Sequence, residues 1–187
     1  WCNSSGKVLD DGTLHRLGEQ QYRLTSAEPN RAWLHDNARG MQVELEDASD
    51  AVAALSLQGP LSRTILEQAT QRDLAGLKYF RLTNANIGSA AVAISRTGYT
   101  GDLGYEVWMD GADALPVWDA LIEAGTPYGI TPAGMLALDI SRIEAGLILL
   151  DVDYISARRA LIPAQLSSPF ELSLGWTVKL DKEQFNG

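Results

Sequence analysis

Between Arg96 and Glu106 the chain reads Arg-Thr-Gly-Tyr-Thr-Gly-Asp-Leu-Gly-Tyr-Glu. Gly98, Gly101 and Gly104 recur every third residue, with one ring, Tyr99, among them and a carboxylate, Glu106, at the far end. Glycine permits positive φ and lets backbone come close to a bound molecule. A ring and an acid beside such a loop suit a small-molecule site. The plainer alternative is a loop shaped only by its glycines, and local pattern alone favours it. A phosphate loop is excluded, because the spacing lacks a Gly-Lys-Ser/Thr ending and no helix pattern follows directly. A second candidate is the adjacent pair Asp10 and Asp11. Neighbouring strand residues face opposite sides, so only one of the two can enter a given pocket. The plainer alternative here is a solvated turn. A third candidate, Arg142, lies near the end of a helical pattern. A cation there stabilises the helix C-terminus.

Composition narrows the function classes. The chain has 187 residues, enough for one domain with its own core. Its formal net charge is −9, so it lacks the basic footprint of non-specific nucleic-acid binding. No apolar run approaches membrane-spanning length. Cys2 is the only cysteine, which rules out an internal disulfide and fits a reducing, cytoplasmic setting. With only His15 and His35 beside it, no zinc-type spacing arises, and no metal is expected. No Gly-x-Ser-x-Gly elbow occurs. The chain opens on Trp1 rather than Met and stops abruptly at Phe185-Asn-Gly187, so a fragment of a longer polypeptide is expected.

The elements that must position these groups follow from periodicity. Strands are expected over Val8 to Arg16, interrupted by Gly12, and over Gln21 to Thr25, with Tyr22 and Leu24 on one face. Ser26 is expected to cap a helix with Pro29 in its first turn, burying Trp33, Leu34 and Ala38. Alternation from Met41 to Leu45 predicts a strand, and Val52 to Leu57 another. Gly59-Pro60 opens a helix with Leu61, Ile65 and Ala69 on one face. Strand character returns at Leu77 to Leu82. Ala90–Ser95 and Tyr105–Met109 then form a hairpin around the glycine loop. Two helices follow, with stripes Leu115, Trp118, Leu121, Ile122 and Leu136, Ile140, Ile143. The second starts at Thr131-Pro132. A long connection from Asp151 to Pro169 leads to a last strand around Trp176. Mixed elements with adjacent hairpins predict an α+β fold, with helices packed on antiparallel sheets in split βαβ, ferredoxin-like groupings.

Several motifs stand in one order: Gly6-Lys-Val-Leu-Asp-Asp11, Leu57-Gln-Gly-Pro60, Ser95-Arg-Thr-Gly-Tyr-Thr-Gly101 with Gly104-Tyr-Glu106, Arg142-Ile-Glu-Ala-Gly146, and Pro169-Phe-Glu171 before Trp176. Singly each is weak. Together they resemble the aminomethyltransferase family, that of the glycine cleavage system T protein. That family includes folate domains of dimethylglycine and sarcosine dehydrogenases and tetrahydrofolate-dependent demethylases. The resemblance covers nearly the whole chain. It implies a tetrahydrofolate-binding domain that accepts a one-carbon unit from an aminomethylated or methylated donor. Asp11 matches the family's catalytic aspartate. There a fixed carboxylate would stabilise iminium-like positive charge or hold a proton on the reacting amine. Glu106 matches the pterin-binding glutamate, whose two oxygens suit a ring N–H beside an amino group. Both acids would then serve one pterin-sized cavity. Tyr99 matches a ring-packing tyrosine and Phe80 a second aromatic, and either also suits a core position. Leu24 and Ser26 fall on the strand end that borders the folate. Arg142 matches the arginine of the family's Arg-Leu-Glu-Ala-Gly motif. Trp176 is expected in the core.

Departures from the family pattern bear on the donor. The chain reads Asp10-Asp-Gly12 where T proteins place a hydrophobic residue after the pair, and Asp102-Leu-Gly-Tyr-Glu106 where they usually have Glu-Asp-Gly. After Asp153 it carries extra residues before Pro169. These departures weigh against the family's lipoyl-bound aminomethyl donor, although a lipoyl carrier protein stays one candidate partner. A small free methylated amine, sulfonium compound or ether is another. The family's N-terminal segment and C-terminal barrel are not expected within this stretch. A rival expectation is a folate-binding protein without transferase activity, as in relatives that assist iron–sulfur assembly. The chain lacks the cysteine motif those carry. A third is the folate domain of a flavin-linked demethylating enzyme.

Overall fold

A computed structural model describes residues 1–183. The chain forms two compact units, one from Trp1–Glu46 with the chain from Ile148 onward, the other spanning Asp47–Leu147.

In the first unit, β1 (Gly12–Arg16) and β2 (Tyr22–Ser26) pair antiparallel, with Gly12 opposite Ser26 and Leu14 opposite Leu24. The pairing is close. A Cβ on Gly12 would sit 1.8 Å from the Thr25 carbonyl oxygen, so only glycine fits. Helix α1 (Arg31–Asn37) starts at Asn30, past Pro29, and buries none of its residues. Ser26 does not cap it. That residue ends β2, and its hydroxyl donates to the Glu28 carbonyl at 2.7 Å. The strand expected at Met41–Leu45 is absent. Met41 and Val43 are exposed, and alternation without a neighbouring strand edge has no ladder to join. A small core gathers Val8, Leu150 and Tyr154, with Cys2, Ile148 and Leu172 against it. Trp176, expected in a core strand, lies on a 3₁₀ turn (Gly175–Thr177) and is exposed.

The second unit holds a four-stranded antiparallel sheet in the order β3-β6-β5-β4, from β3 (Val52–Gln58), β4 (Leu82–Ile87), β5 (Ala90–Ser95) and β6 (Gly104–Asp110). Helices α2 (Ser62–Thr70) and α3 (Ala114–Gly125) cover one face. Val92 and Ile94 of β5, with Tyr105, Val107 and Met109 of β6, alternate toward the helices and are buried. The expected α+β arrangement of helices on antiparallel sheet is what forms. The predicted strand at Leu77–Leu82 is a turn instead, and β4 begins where it was to end.

The helix faces also shift. On α3 the buried residues are Val117, Leu121, Ala124 and Gly125, while Leu115 and Trp118 are exposed. The sequence offers two overlapping stripes, and the sheet accepts the one with smaller side chains, which lets the helix approach closely. Helix α4 (Met135–Glu144) starts after Gly134 rather than at Thr131. Its apolar stripe, Leu136, Ile140 and Ile143, is exposed, and the residue it buries is Arg142. Among the described residues no helix is long and apolar enough to cross a membrane.

Candidate functional site

Glu106 lies on the sheet face opposite the helices. Its cross-strand neighbours are Ser56 on β3 and Ser95 on β5. Both are short, so the half-buried carboxylate is not covered by its own row. Thr97 Oγ1 donates to Glu106 Oε2 at 2.6 Å, and the Ser95 hydroxyl lies 3.4 Å from the same oxygen. Ser95 and Thr97 share a hydrogen bond of 2.8 Å, and the Trp108 indole N–H donates to Ser95 Oγ at 3.2 Å. An indole N–H only donates, and the Thr97 proton goes to the carboxylate, so the chain has one polarity: Trp108 to Ser95 to Thr97 to Glu106. Among the described residues Oε1 accepts no hydrogen bond from the protein.

The glycine loop owes its composition to Gln58. A Cβ on Gly104 would fall 1.7 Å from Gln58 Oε1, and one on Gly98 2.1 Å from it. Gln58 is the cross-strand partner of Gly104. Its amide donates to Ser56 Oγ at 3.0 Å and accepts from Thr100 Oγ1 at 3.2 Å. Gly101 has a φ of +74°, and a Cβ there would sit 2.5 Å from that of Ala145 at the end of α4. Two of the three glycines thus make room for a side chain of the protein itself, and the third for a turn against a helix end. Tyr99 lies half-buried within this loop.

Phe80 sits beside the same hairpin. Its N–H donates to the Arg96 carbonyl at 3.1 Å, and the Arg96 N–H donates to the Arg81 carbonyl at 2.9 Å. Phe80 has a φ of +55°, which an aromatic residue rarely adopts. Its ring is 48% exposed and lies 4.4 Å from the Tyr79 ring. Such strain persists only where surrounding bonds hold it. Arg142 is 2% exposed. Its Nε donates to Asp139 Oδ1 at 2.8 Å and an Nη to the Leu147 carbonyl at 3.2 Å, so it braces the end of α4.

In the first unit the two aspartates take different roles. Asp10 is fully buried. Its Oδ1 accepts from the Asp11 N–H at 2.8 Å, and its Oδ2 from the Asn30 amide at 2.7 Å and the Glu28 N–H at 3.2 Å. This saturated carboxylate is a structural knot, not the solvated turn allowed by sequence. Asp11 is half-buried and stands at the start of β1. Its Oδ1 accepts from the Tyr154 hydroxyl at 2.5 Å. Ser26 lies opposite Gly12, next to Asp11, and half-buried Leu24 pairs two residues further along. Burial, first, and then the Asp11 hydrogen bond and charge raise the Tyr154 phenol far above its ordinary range.

The structure therefore brings Asp11 together with Ser26 in one unit, and Glu106 with the Tyr99 loop and the strained Phe80 in the other. Thr97 was legible in principle, since strand alternation places it with Ser95 beside Glu106 once the hairpin register is known. Tyr154 and Asn30 carried no local signal, because their bonds to the aspartates cross long stretches of chain.

A sequence profile described as "GCVT N-terminal domain" matches residues 1–182. The chain belongs to this family. Aminomethyltransferases from Halothermothrix orenii and Moorella thermoacetica are each 38% identical to it, over 192 and 190 residues. Each match covers 100% of this chain and 50% of the relative. One from Saccharopolyspora erythraea is 38% identical over 97% of this chain and 48% of its own. The crystal structure of glycine cleavage system aminomethyltransferase T from Bartonella henselae superposes with a TM-score of 0.75 at 26% identity. That match covers 96% of this chain and 46% of that one. A heterotetrameric sarcosine oxidase from Corynebacterium shares the fold at 22% identity and a TM-score of 0.55, over 69% of this chain and 66% of that one. This GCVT N-terminal domain chain spans about half the length of the curated relatives it matches.

Proposed function

We propose that the protein carrying this chain transfers a one-carbon group from an aminomethylated or methylated donor to tetrahydrofolate. The carrying observation is Glu106, a carboxylate on the sheet face opposite the helices with one oxygen held by the Trp108–Ser95–Thr97 chain. That oxygen is oriented before any ligand arrives, and its twin is left for a donor. A pterin edge presents a ring N–H beside an amino group, which fits a carboxylate held by Thr97 through one oxygen. Tyr99 and the strained, exposed Phe80 offer rings for the flat heterocycle, and an unfavourable φ held in place is a mark of functional sites. In the first unit, Leu24 and Ser26 lie on the strand end beside Asp11 and are further candidates for folate contact.

Bound tetrahydrofolate would supply the nucleophilic nitrogen that accepts the carbon. Asp11 carries fixed negative charge that stabilises cationic character at the reacting carbon–nitrogen centre or holds a proton on the amine. Arg142 contributes through the α4 end, against which the glycine loop rests. The donor is an aminomethyl group on a lipoyl carrier protein, or a small methylated amine, sulfonium compound or ether. The setting is cytoplasmic.

Two variants of the full-length protein test this. Glu106→Ala should weaken tetrahydrofolate binding far more than it slows turnover at saturating folate. Unchanged folate affinity would remove the assignment. Asp11→Asn should keep folate affinity while suppressing transfer by about a hundredfold or more, the scale of one positioned electrostatic group. Normal transfer in that variant would refute the role.

A further inference from the structure

Tyr154 is a buried aromatic hydroxyl that folate binding does not use. It lies in the segment between Asp153 and Pro169. This segment is built onto the stretch that leads into Asp11. Ser156 Oγ donates to the Leu9 carbonyl at 2.6 Å, and the Ala157 N–H donates to the Val8 carbonyl at 2.8 Å. Tyr154 itself forms a parallel bridge with Leu150, and its carbonyl accepts from the Asp151 N–H at 2.7 Å. Asp151 holds the turn from a strained φ of +59°. One of its oxygens accepts from the Ser156 N–H at 3.1 Å and the other pairs with Arg159 at 2.5 Å. Arg159 also reaches Glu28. The turn is thus pinned on both sides of Tyr154, and the one hydroxyl it delivers meets Asp11 Oδ1 at 2.5 Å. Among the described residues Asp11 Oδ2 accepts no protein hydrogen bond.

We infer that Tyr154 is a positioning residue for Asp11: its hydroxyl fixes one carboxylate oxygen so that the other is aimed at the reacting group. This rests on Asp11 being the acid that acts in transfer. A carboxylate on two free torsions samples several rotamers. One short bond from a buried, immobile phenol selects one of them without consuming the second oxygen. Burial first, then the bond to Asp11 and the charges of Asp11, Asp10 and Asp151, disfavour a phenolate, so the hydroxyl remains a donor. The segment that carries Tyr154 therefore reaches the Asp11 carboxylate rather than only bordering it.

The test uses full-length protein with Tyr154→Phe, Asp11→Asn and the double variant. Phenylalanine keeps the buried ring and removes only the hydroxyl. The expected result is a kcat reduced about tenfold, KM for tetrahydrofolate within about twofold, and cooperative melting with a midpoint lowered only by the loss of one hydrogen bond. In the Asp11→Asn background the same change should have no further effect on kcat, as for two groups acting as one unit. An unchanged kcat in Tyr154→Phe, or an equal loss in both backgrounds, overturns the inference. Loss in neither Asp11→Asn nor Tyr154→Phe instead removes the role of Asp11 itself. Should Tyr154→Phe fold poorly, 3-fluorotyrosine at position 154 keeps the packing and alters the hydroxyl's donor strength. A changed kcat supports the role, and an unchanged one overturns it.

Discussion

The Thr97 hydroxyl lies 2.6 Å from Glu106 Oε2 and is itself buried. Thr97 is the last donor in a chain that starts at an indole, so it cannot turn away without stranding Ser95. Thr97→Val keeps the shape and removes the donor. It should weaken tetrahydrofolate binding about tenfold and lower stability by about 1–2 kcal/mol, the cost of one hydrogen bond to a charged group. Calorimetric titration with urea unfolding on the same samples checks both numbers. Unaltered affinity would mean that Glu106 does not need its orientation fixed.

Two glycine substitutions should rank in a definite order. At Gly12 an added Cβ meets the backbone oxygen of Thr25 at 1.8 Å, and at Gly104 it meets the end of the Gln58 side chain at 1.7 Å. Backbone in a paired strand cannot step aside, whereas a glutamine can rotate out by giving up its amide bonds. Gly12→Ala should therefore cost more, about 3 kcal/mol or above, and Gly104→Ala about 1–2 kcal/mol. Adding Gln58→Ala should recover part of the second loss and none of the first. Thermal melts of the single and double variants decide it.

Alkaline stability should carry the signature of two buried phenols. Burial, foremost, raises both Tyr105 and Tyr154 above the ordinary value of 10.0. In the unfolded chain these phenols ionise near that value, whereas in the folded chain they keep their protons. The unfolded state then binds fewer protons, so stability is full below about pH 10 and falls as pH rises beyond it. Tyr154→Phe should flatten part of that fall. Urea midpoints at pH 8 and pH 10.5 for wild type and variant give the comparison, and an unchanged slope would contradict it.

Arg142→Lys should destabilise the chain by about 1–3 kcal/mol. A lysine has one point of charge where the guanidinium spans Asp139 and the Leu147 carbonyl, and the site is buried. If the bracing at the end of α4 is its whole contribution, folate affinity will follow stability and recover at low temperature. A folate defect that persists at full folding would show a direct contact.

Sequence alone determined the hairpin, the antiparallel α+β character and the family. Ala90–Ser95 and Gly104–Asp110 alternate cleanly around a glycine-rich turn, and such local periodicity survives in any context. It also marked Asp11 and Glu106, through motifs read in order. Tertiary structure decided what surrounds them. Met41 to Leu45 alternates just as well but finds no strand edge, and the stripe of α4 points outward while its arginine turns in. The glycines of the loop yield to Gln58, and one acid of the Asp10–Asp11 pair is buried under three donors while its neighbour meets Tyr154. Each of these depends on a partner distant in the chain. Periodicity carries which residues can share a face; only packing chooses which face is covered, and by what.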